Sequence, residues 1–175
     1  MVARGGHIPE GGRPMDANGR VEELGLDLPD YSVTPYYGPN YGTMKPHHQV
    51  GSALFFSGHV PEFPDGRILH PGRLGAEVSI DQGYEAARLT AINCLAGIRY
   101  AIGDLNRVAS LVRSLNFVVC TPDFHDVHKV SSGATDLFRD VFGEERGLGG
   151  RATIGVMSLA RNHCFENWLT VEVQS

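Results

Sequence analysis

The sequence predicts an α+β fold in which two helices cover one face of a mixed β-sheet. Segments with the apolar patterns of strands alternate with two segments of helical period, in the order strands, helix, strand, helix, strands. No internal repeat interrupts this order. The chain has 175 residues, of which 42% are hydrophobic, and this suits one domain with a buried core.

The composition divides the chain into an arm, an extended segment and a body. Residues 1–22 are rich in Gly, Pro and charge and have no hydrophobic period, so we expect a flexible N-terminal arm. Residues 23–43 combine leucines with proline and tyrosine clusters, which predicts an extended segment packed on the body. Residues 44–175 form the predicted body.

The first helix of the body has clear signals at both ends. Ser79 and Gln82 match a capping box, and Gly103 is placed to end the helix as a C-terminal cap. The residues between them that recur at three- and four-residue spacing are Ala87, Ala91, Cys94, Leu95, Ile98 and Ile102. A second helix is predicted after the turn at 121–123, and Gly143 is expected to close it.

Four apolar segments predict the strands. Val50–Gly58 reads as one buried strand, and Val108–Cys120 combines Val, Leu and Phe with alternation. The last two, Arg151–Leu159 and Cys164–Val173, flank a short polar turn and predict a β-hairpin.

The charge balance argues against nucleic acid as a partner. The formal net charge is -5 and the pI is about 5.9, and the basic residues are scattered along the chain without forming a stripe. The three cysteines have no CxxC spacing, which suits reduced thiols. No apolar run has the length of a membrane span and no signal peptide is visible, so we expect a cytoplasmic protein without a membrane partner.

Arg151 and Glu166 are the residues in which we expect the chemistry. A guanidinium at the start of a strand can hold a carboxylate in a bidentate fork, and Arg never titrates. A glutamate on the neighbouring strand of the predicted hairpin can handle a proton or a water molecule, especially if burial raises its pKa.

Several motifs, taken together and in order, resemble the RidA/YjgF family over residues 44–173. They are Leu54–Pro61, Ala101–Val108, Pro122–Val127, Asp140–Gly143 and the block from Arg151 to Glu166. The resemblance implies a chorismate-mutase-like fold and a homotrimer whose active-site clefts lie between subunits.

The resemblance also implies an activity. Characterised members of the family hydrolyse enamines and imines of the 2-aminoacrylate type to a keto acid and ammonia, and they need no cofactor. In that mechanism Arg151 would hold the substrate carboxylate, and Glu166 would act beside the hydrolytic water. The implied partners are a small carboxylate-bearing imine or enamine and further copies of the same chain.

The sequence departs from the family pattern in the expected pocket. Thr153 replaces a common cysteine, Met44 stands where many members have a tyrosine, and His59 follows Ser57 and Gly58 where a glutamine is usual. We expect these five residues to line the substrate pocket together with Arg151. His59 could move protons near neutral pH, although a hydrogen-bonded histidine at a turn is the plainer interpretation.

The remaining motifs favour structural roles. His47 and His48 are adjacent and His125 and His128 lie three residues apart, but neither pair has a third ligand at metal-site spacing, so no metal is expected. Cys164 shares an alternation with Glu166 and would either line the cleft or pack in the core. Two further functional hypotheses stay open: a specialised deaminase of the aminomuconate type, and a non-catalytic trimeric protein that binds or senses a small ligand.

Overall fold

The computed structural model describes residues 16–35 and 39–174 and shows an α+β fold. Its centre is a five-stranded mixed sheet with the strand order β1-β2-β5-β3-β4. The strands are β1 (His47–Val50), β2 (Ala53–Phe56), β3 (Val108–Val119), β4 (Gly150–Val156) and β5 (Phe165–Val173). Two long helices, α2 (Ile80–Ile102) and α3 (Val127–Gly147), pack on one face, as the sequence predicts.

The last two strands are not a hairpin. β4 pairs with β3 in parallel, and β5 pairs with β3 in the antiparallel sense on the other side. A parallel neighbour needs a long crossover, which α3 provides, and β4 therefore docks at the sheet edge beyond β3. The hairpin prediction is wrong because the short turn at residues 157–164 crosses over the end of β3 instead of pairing its two flanking strands.

The predicted single strand at Val50–Gly58 is also two strands. Gly51 has φ +59° and forms, with Ser52, the turn between β1 and β2. That φ lies in the left-handed region, which glycine adopts without a steric penalty, so the apolar run is divided near its start.

The two long helices have the ends that the sequence predicts. The Ser79 hydroxyl accepts a hydrogen bond from the Gln82 amide at 3.2 Å, the Gln82 side chain accepts one from the Ser79 amide at 2.9 Å, and Gly103 is the C-cap. Gly143 breaks the helical dihedrals of α3 (φ 78°, ψ 171°), but helical structure resumes and continues to Gly147. A methyl group at Gly133 would lie 2.1 Å from the Tyr84 carbonyl oxygen, so this glycine allows α2 and α3 to approach closely.

An additional short helix, α1 (Ala17–Glu23), lies before the body. Ala17 and Val21 are buried, and the Ala17 amide donates a 2.8 Å hydrogen bond to Asn106. Residues 16–22 are therefore not part of a flexible arm, and the rest of the expected arm, 1–15, lies outside the described residues. The sequence did not reveal α1 because two buried positions four residues apart are too few to define a period.

The two faces of the sheet differ in character. On the face covered by α2 and α3, alternate residues of β5 are buried, namely Phe165, Asn167, Leu169, Val171 and Val173. The opposite face of the same strand carries Glu166 and Trp168, and Trp168 is half exposed. We call these the covered face and the open face. No helix among the described residues is long and apolar enough to cross a membrane.

Candidate active site

A cleft of about 510 Å³ opens beside the open face at the start of β5. Its walls come from the segment before β1, the end of β2 and the turn before β5. The lining residues are Tyr41, Met44, Phe56, Ser57, Gly58, Val60, Ala160, Glu166 and Trp168. The cleft therefore brings together four of the predicted site residues, Met44, Ser57, Gly58 and Glu166.

Glu166 is the ionisable group that faces this cleft from β5. Its Oε1 accepts a 2.5 Å hydrogen bond from Nε1 of Trp168, two residues along the same strand. Burial raises the pKa of Glu166, and the hydrogen bond from Trp168 opposes part of that effect. A carboxyl group in this state can exchange a proton closer to neutral pH than an ordinary glutamate does.

Gly58 lies directly against Glu166. A methyl group at Gly58 would stand 2.0 Å from Oε1 of Glu166 and 2.8 Å from Nε1 of Trp168. Only glycine permits this approach, so the segment before Val60 and the carboxylate form one continuous wall. Ser57 anchors the segment, because its hydroxyl donates to the Lys45 carbonyl at 2.7 Å.

His59 does not line this cleft. Its backbone pairs with Asn167 in both directions at 2.9 Å, and its ring is turned to the covered face, where a methyl group at Gly97 would meet Nε2 at 2.6 Å. Burial lowers the pKa of His59 to about 4, and Nδ1 donates to the Ser57 carbonyl at 2.9 Å. Within this chain His59 is therefore a buried, hydrogen-bonded histidine, and its expected contact with a substrate stays a prediction.

Arg151 and Thr153 lie outside the cleft, on the edge strand β4, and their side chains are on the covered face. Nη1 of Arg151 donates to the Thr135 hydroxyl of α3 at 2.8 Å, and the Thr153 hydroxyl is 2.7 Å from that of Ser131. The guanidinium is exposed and pairs with no carboxylate among the described residues.

Arg151 and Glu166 do not meet within one chain. β3 separates their strands, with Ser114 opposite Arg151 and Phe117 opposite Glu166. Side chains alternate between faces along a strand, and these two fall on opposite faces. Their expected position on neighbouring strands is therefore wrong, since it depended on the hairpin.

A network that the sequence analysis did not identify borders the cleft. The Tyr41 hydroxyl donates to the Glu62 carboxylate and lies 2.9 Å from Nε2 of His163, and Arg161 donates to the same Glu62 oxygen at 2.5 Å. Burial first, and then the bond to Glu62, raises the pKa of Tyr41 to about 12. The Tyr41 hydroxyl therefore stays protonated at physiological pH.

Comparison with known proteins places this arrangement in a family. The family described as "YjgF/chorismate_mutase-like, putative endoribonuclease" matches residues 18–166. Protein TCP17 of Trypanosoma cruzi is 35% identical over 147 residues, which are 82% of this chain and 88% of that protein. The chain belongs to the YjgF/chorismate-mutase-like family.

Two solved structures show the same fold. Atu1372 of Agrobacterium tumefaciens, a protein of unknown function, is 32% identical, with a TM-score of 0.79 over 91% of this chain and 94% of that one. A protein from Shewanella oneidensis that is described as a putative endoribonuclease is 29% identical, with a TM-score of 0.81 over 90% of this chain and 99% of that one. The resemblance to the RidA/YjgF family is thereby confirmed, and the family match extends into the segment before residue 44.

Tyr41 lines the cleft, although the sequence did not identify it as a site residue. The resemblance by sequence implied a tyrosine where this chain has Met44, and Tyr41, three residues earlier, lines the same cleft. The alternation of β5 places Trp168 beside Glu166, so that part of the wall was available from the sequence. Tyr41 was not, because its segment has neither period nor regular structure before a single turn of 3₁₀ helix (Pro39–Tyr41).

The other candidate groups have structural environments. Cys164 is fully buried, and burial raises the pKa of its thiol to about 12, so packing and not the cleft explains it. Within the described part of the chain, no three His, Cys, Asp or Glu side chains come together in a way that could hold a metal ion.

Proposed function

We propose that this YjgF-family chain is a cofactor-independent imine and enamine deaminase. The substrate is a small carboxylate of the 2-aminoacrylate type, Arg151 holds its carboxylate, and Glu166 handles the proton and the hydrolytic water. A proton adds to the enamine carbon, water adds to the resulting iminium carbon, and ammonia leaves, so one water molecule is consumed for each keto acid and ammonia formed. No covalent nucleophile is needed.

The observation that carries the proposal is the state of Glu166. A carboxyl group with a burial-raised pKa, fixed by Trp168 and in contact with Gly58, is suited to proton exchange with a bound substrate. A cleft wall made largely of apolar side chains also limits the water around the reacting carbon.

The same cleft is incomplete in one chain. None of the described residues that line it carries a positive charge, so a substrate carboxylate has no counter-ion there. Arg151 presents an exposed guanidinium at the opposite edge of the sheet. We therefore place the site between two copies of the chain, with Glu166 from one copy and Arg151 with Thr153 from the next.

The open face supports assembly of several copies into a homotrimer. Phe55, Ile154 and Trp168 expose 47%, 46% and 50% of their surface, and all three side chains lie on the open face, away from α2 and α3. An apolar patch of this kind on a sheet is typical of a protein–protein interface.

The first test is a coupled assay in which a lyase generates 2-aminoacrylate and keto-acid release is followed. Wild type should accelerate release, and Arg151→Ala should lower kcat/KM on the order of 100-fold, because orientation of the substrate is lost. Arg139→Ala, which removes another exposed arginine, serves as the control.

A mixing experiment tests whether the site is shared. Arg151→Ala and Glu166→Gln chains are each expected to be inactive, but random mixed assemblies would restore the wild-type pair at roughly a quarter of the interfaces. Recovery of activity on co-refolding supports a composite site, and no recovery contradicts it.

The two other hypotheses predict different results. A deaminase of the aminomuconate type would act on larger unsaturated imino acids and leave 2-aminoacrylate unchanged. A non-catalytic binding protein would accelerate neither reaction and would still bind keto acids through Arg151. The net charge of -5 argues against RNA as the main substrate despite the family's description as endoribonuclease.

A further inference from the structure

A second polar pocket lies beside His163, away from the Glu166 cleft. Its volume is about 290 Å³. It is lined by Pro71, Gly72, Arg73, Glu77, Val119, Met157, Ser158, Leu159, Asn162 and His163. We call it the Arg73 pocket. It shares none of these residues with the cleft that holds Glu166.

Two opposite charges are held in place in the Arg73 pocket. The Arg73 guanidinium donates to the carbonyls of Cys120 at 3.0 Å and Met157 at 2.9 Å, and this fixes its plane. Those bonds occupy two of the five N–H groups of an arginine, so others remain for a ligand. The Glu77 carboxylate accepts from the Arg73 amide at 3.0 Å through Oε2 and keeps a second oxygen.

The network beside the cleft determines which nitrogen of His163 carries a proton. Tyr41 donates its hydroxyl proton to Glu62, so the Tyr41 oxygen can only accept from Nε2 of His163, at 2.9 Å. The Glu62 carboxylate, 3.2 Å from the same Nε2, is also an acceptor. Nε2 must therefore carry a proton, because both of its neighbours accept.

The other ring nitrogen is then an unpaired acceptor. His163 is fully buried, and its Nδ1 has no hydrogen-bond partner among the described residues. Burial lowers the pKa of His163, although Glu62 opposes that effect, so the ring is neutral and Nδ1 bears a lone pair. A buried acceptor left without a donor is destabilising, and a ligand that donates a hydrogen bond at this point would remove that penalty.

We propose that the Arg73 pocket binds a small zwitterion of the α-amino-acid class. Arg73 would receive the carboxylate, and Glu77 and Nδ1 of His163 would accept hydrogen bonds from the ammonium group. The pocket offers one fixed cation, one fixed anion and one buried acceptor, and an amino acid supplies the complement of each. This site is distinct from the proposed deaminase site and does not depend on that activity.

The proposed site is connected to the cleft through one imidazole ring. A donor at Nδ1 makes the opposite N–H of a histidine a stronger donor, because linked hydrogen bonds polarise one another. Occupancy of the Arg73 pocket would thus strengthen the hydrogen bond from His163 to the Tyr41 hydroxyl. Tyr41 also lines the cleft, so it connects the two sites.

The test is an NMR titration of the full chain carrying Arg151→Ala, which removes the carboxylate anchor proposed for the cleft. The probes are L-alanine, propionate and ethylamine, which carry both charges, the carboxylate only and the ammonium only. L-Alanine should shift the amide signals of residues 72–77 and 157–163, and each single-charge probe should bind at least roughly tenfold more weakly.

A variant of Glu77, with a matched control, makes the test specific. Glu77→Gln keeps an oxygen for the Arg73 amide and removes the charge, so it should weaken L-alanine binding about two- to fivefold. Glu85→Gln, an exposed glutamate outside the pocket, should leave binding unchanged. Equal binding of propionate and L-alanine, equal binding by Glu77→Gln and its control, or no shifts in these two segments would each overturn the proposal.

Discussion

His59 and Glu166 lie on two backbone segments that pair with each other, yet their side chains lie on opposite faces of the sheet. His59 pairs with Asn167, the residue after Glu166, and Gly58 lies against Glu166 itself. Burial favours the neutral form of each group, so it lowers the pKa of His59 and raises the pKa of Glu166. The alternation of side chains sends His59 to the covered face, under α2, and Glu166 to the open cleft. A step of one residue thus separates a core group from a group that can meet a substrate.

The largest effect expected from this difference is on stability at acid pH. The folded-state pKa of His59 is about 4, below the ordinary value of 6.5, so its contribution is present above pH 6.5 and is lost as pH falls towards 4. Between about pH 7.5 and pH 4 the loss amounts to about 3 kcal/mol of unfolding free energy.

The measurement is urea unfolding of wild type and His59→Gln at both pH values. Glutamine does not titrate, so the free-energy difference between the two proteins should change by that amount over the range. Other titrating groups are common to both proteins and cancel. An unchanged difference would mean that the imidazole becomes charged without unfolding, and that His59 reaches solvent or the cleft.

The contrast between the two faces also shows what the sequence could predict. The capping box at Ser79, the apolar face of α2 and the long strand β3 follow from local spacing, and the structure confirms them. The hairpin prediction failed because strand order depends on packing between distant segments, and a turn of polar residues looks the same whether its flanking strands pair or not. The opposed faces of Arg151 and Glu166 follow from the register of pairing with β3, where their partners Ser114 and Phe117 are three residues apart.

The site was predictable where a residue lies on a regular element. Glu166 lies on β5 and lines the cleft, and Trp168 follows from the alternation of the same strand. The network of Tyr41, Glu62, Arg161 and His163 was not predictable, because its members come from three irregular segments. The burial of His59 was not predictable, because a motif position does not specify which way a side chain turns after a strand ends.

A second prediction concerns the close contact on the open face. In Gly58→Ala the new methyl group would overlap Oε1 of Glu166, so the carboxylate must leave its position beside Trp168. The obstructing atoms all belong to the side chains of Glu166 and Trp168, which can move, so we expect a stability cost of only about 1–2 kcal/mol. Activity in the coupled assay should fall by roughly tenfold or more, since the substitution would displace Glu166, the proposed proton-transfer group.

Gly150→Ala is the matched control for this substitution. The nearest atom to a methyl group at Gly150 is the Val112 carbonyl oxygen at 3.6 Å, an ordinary contact, and the residue precedes Arg151. Gly150→Ala should therefore change stability and activity very little. If Gly58→Ala kept full activity, the position of Glu166 against Gly58 would have no part in the reaction.

The smallest expected effect is the stability gain from Glu166→Gln. Because burial raises the folded-state pKa of Glu166, the charged form is disfavoured in the native protein, and the wild type loses stability as pH rises through that pKa. Glutamine removes this loss and can still accept the bond from Trp168. Its Tm should exceed that of wild type by about 1–3 °C at neutral pH, and the excess should vanish near pH 4. Glu172→Gln, on the same strand and face but exposed, controls for loss of a surface carboxylate. An excess that is the same at every pH would show that Glu166 is solvated like Glu172, and the cleft would then lose the one group that distinguishes it from the rest of the open face.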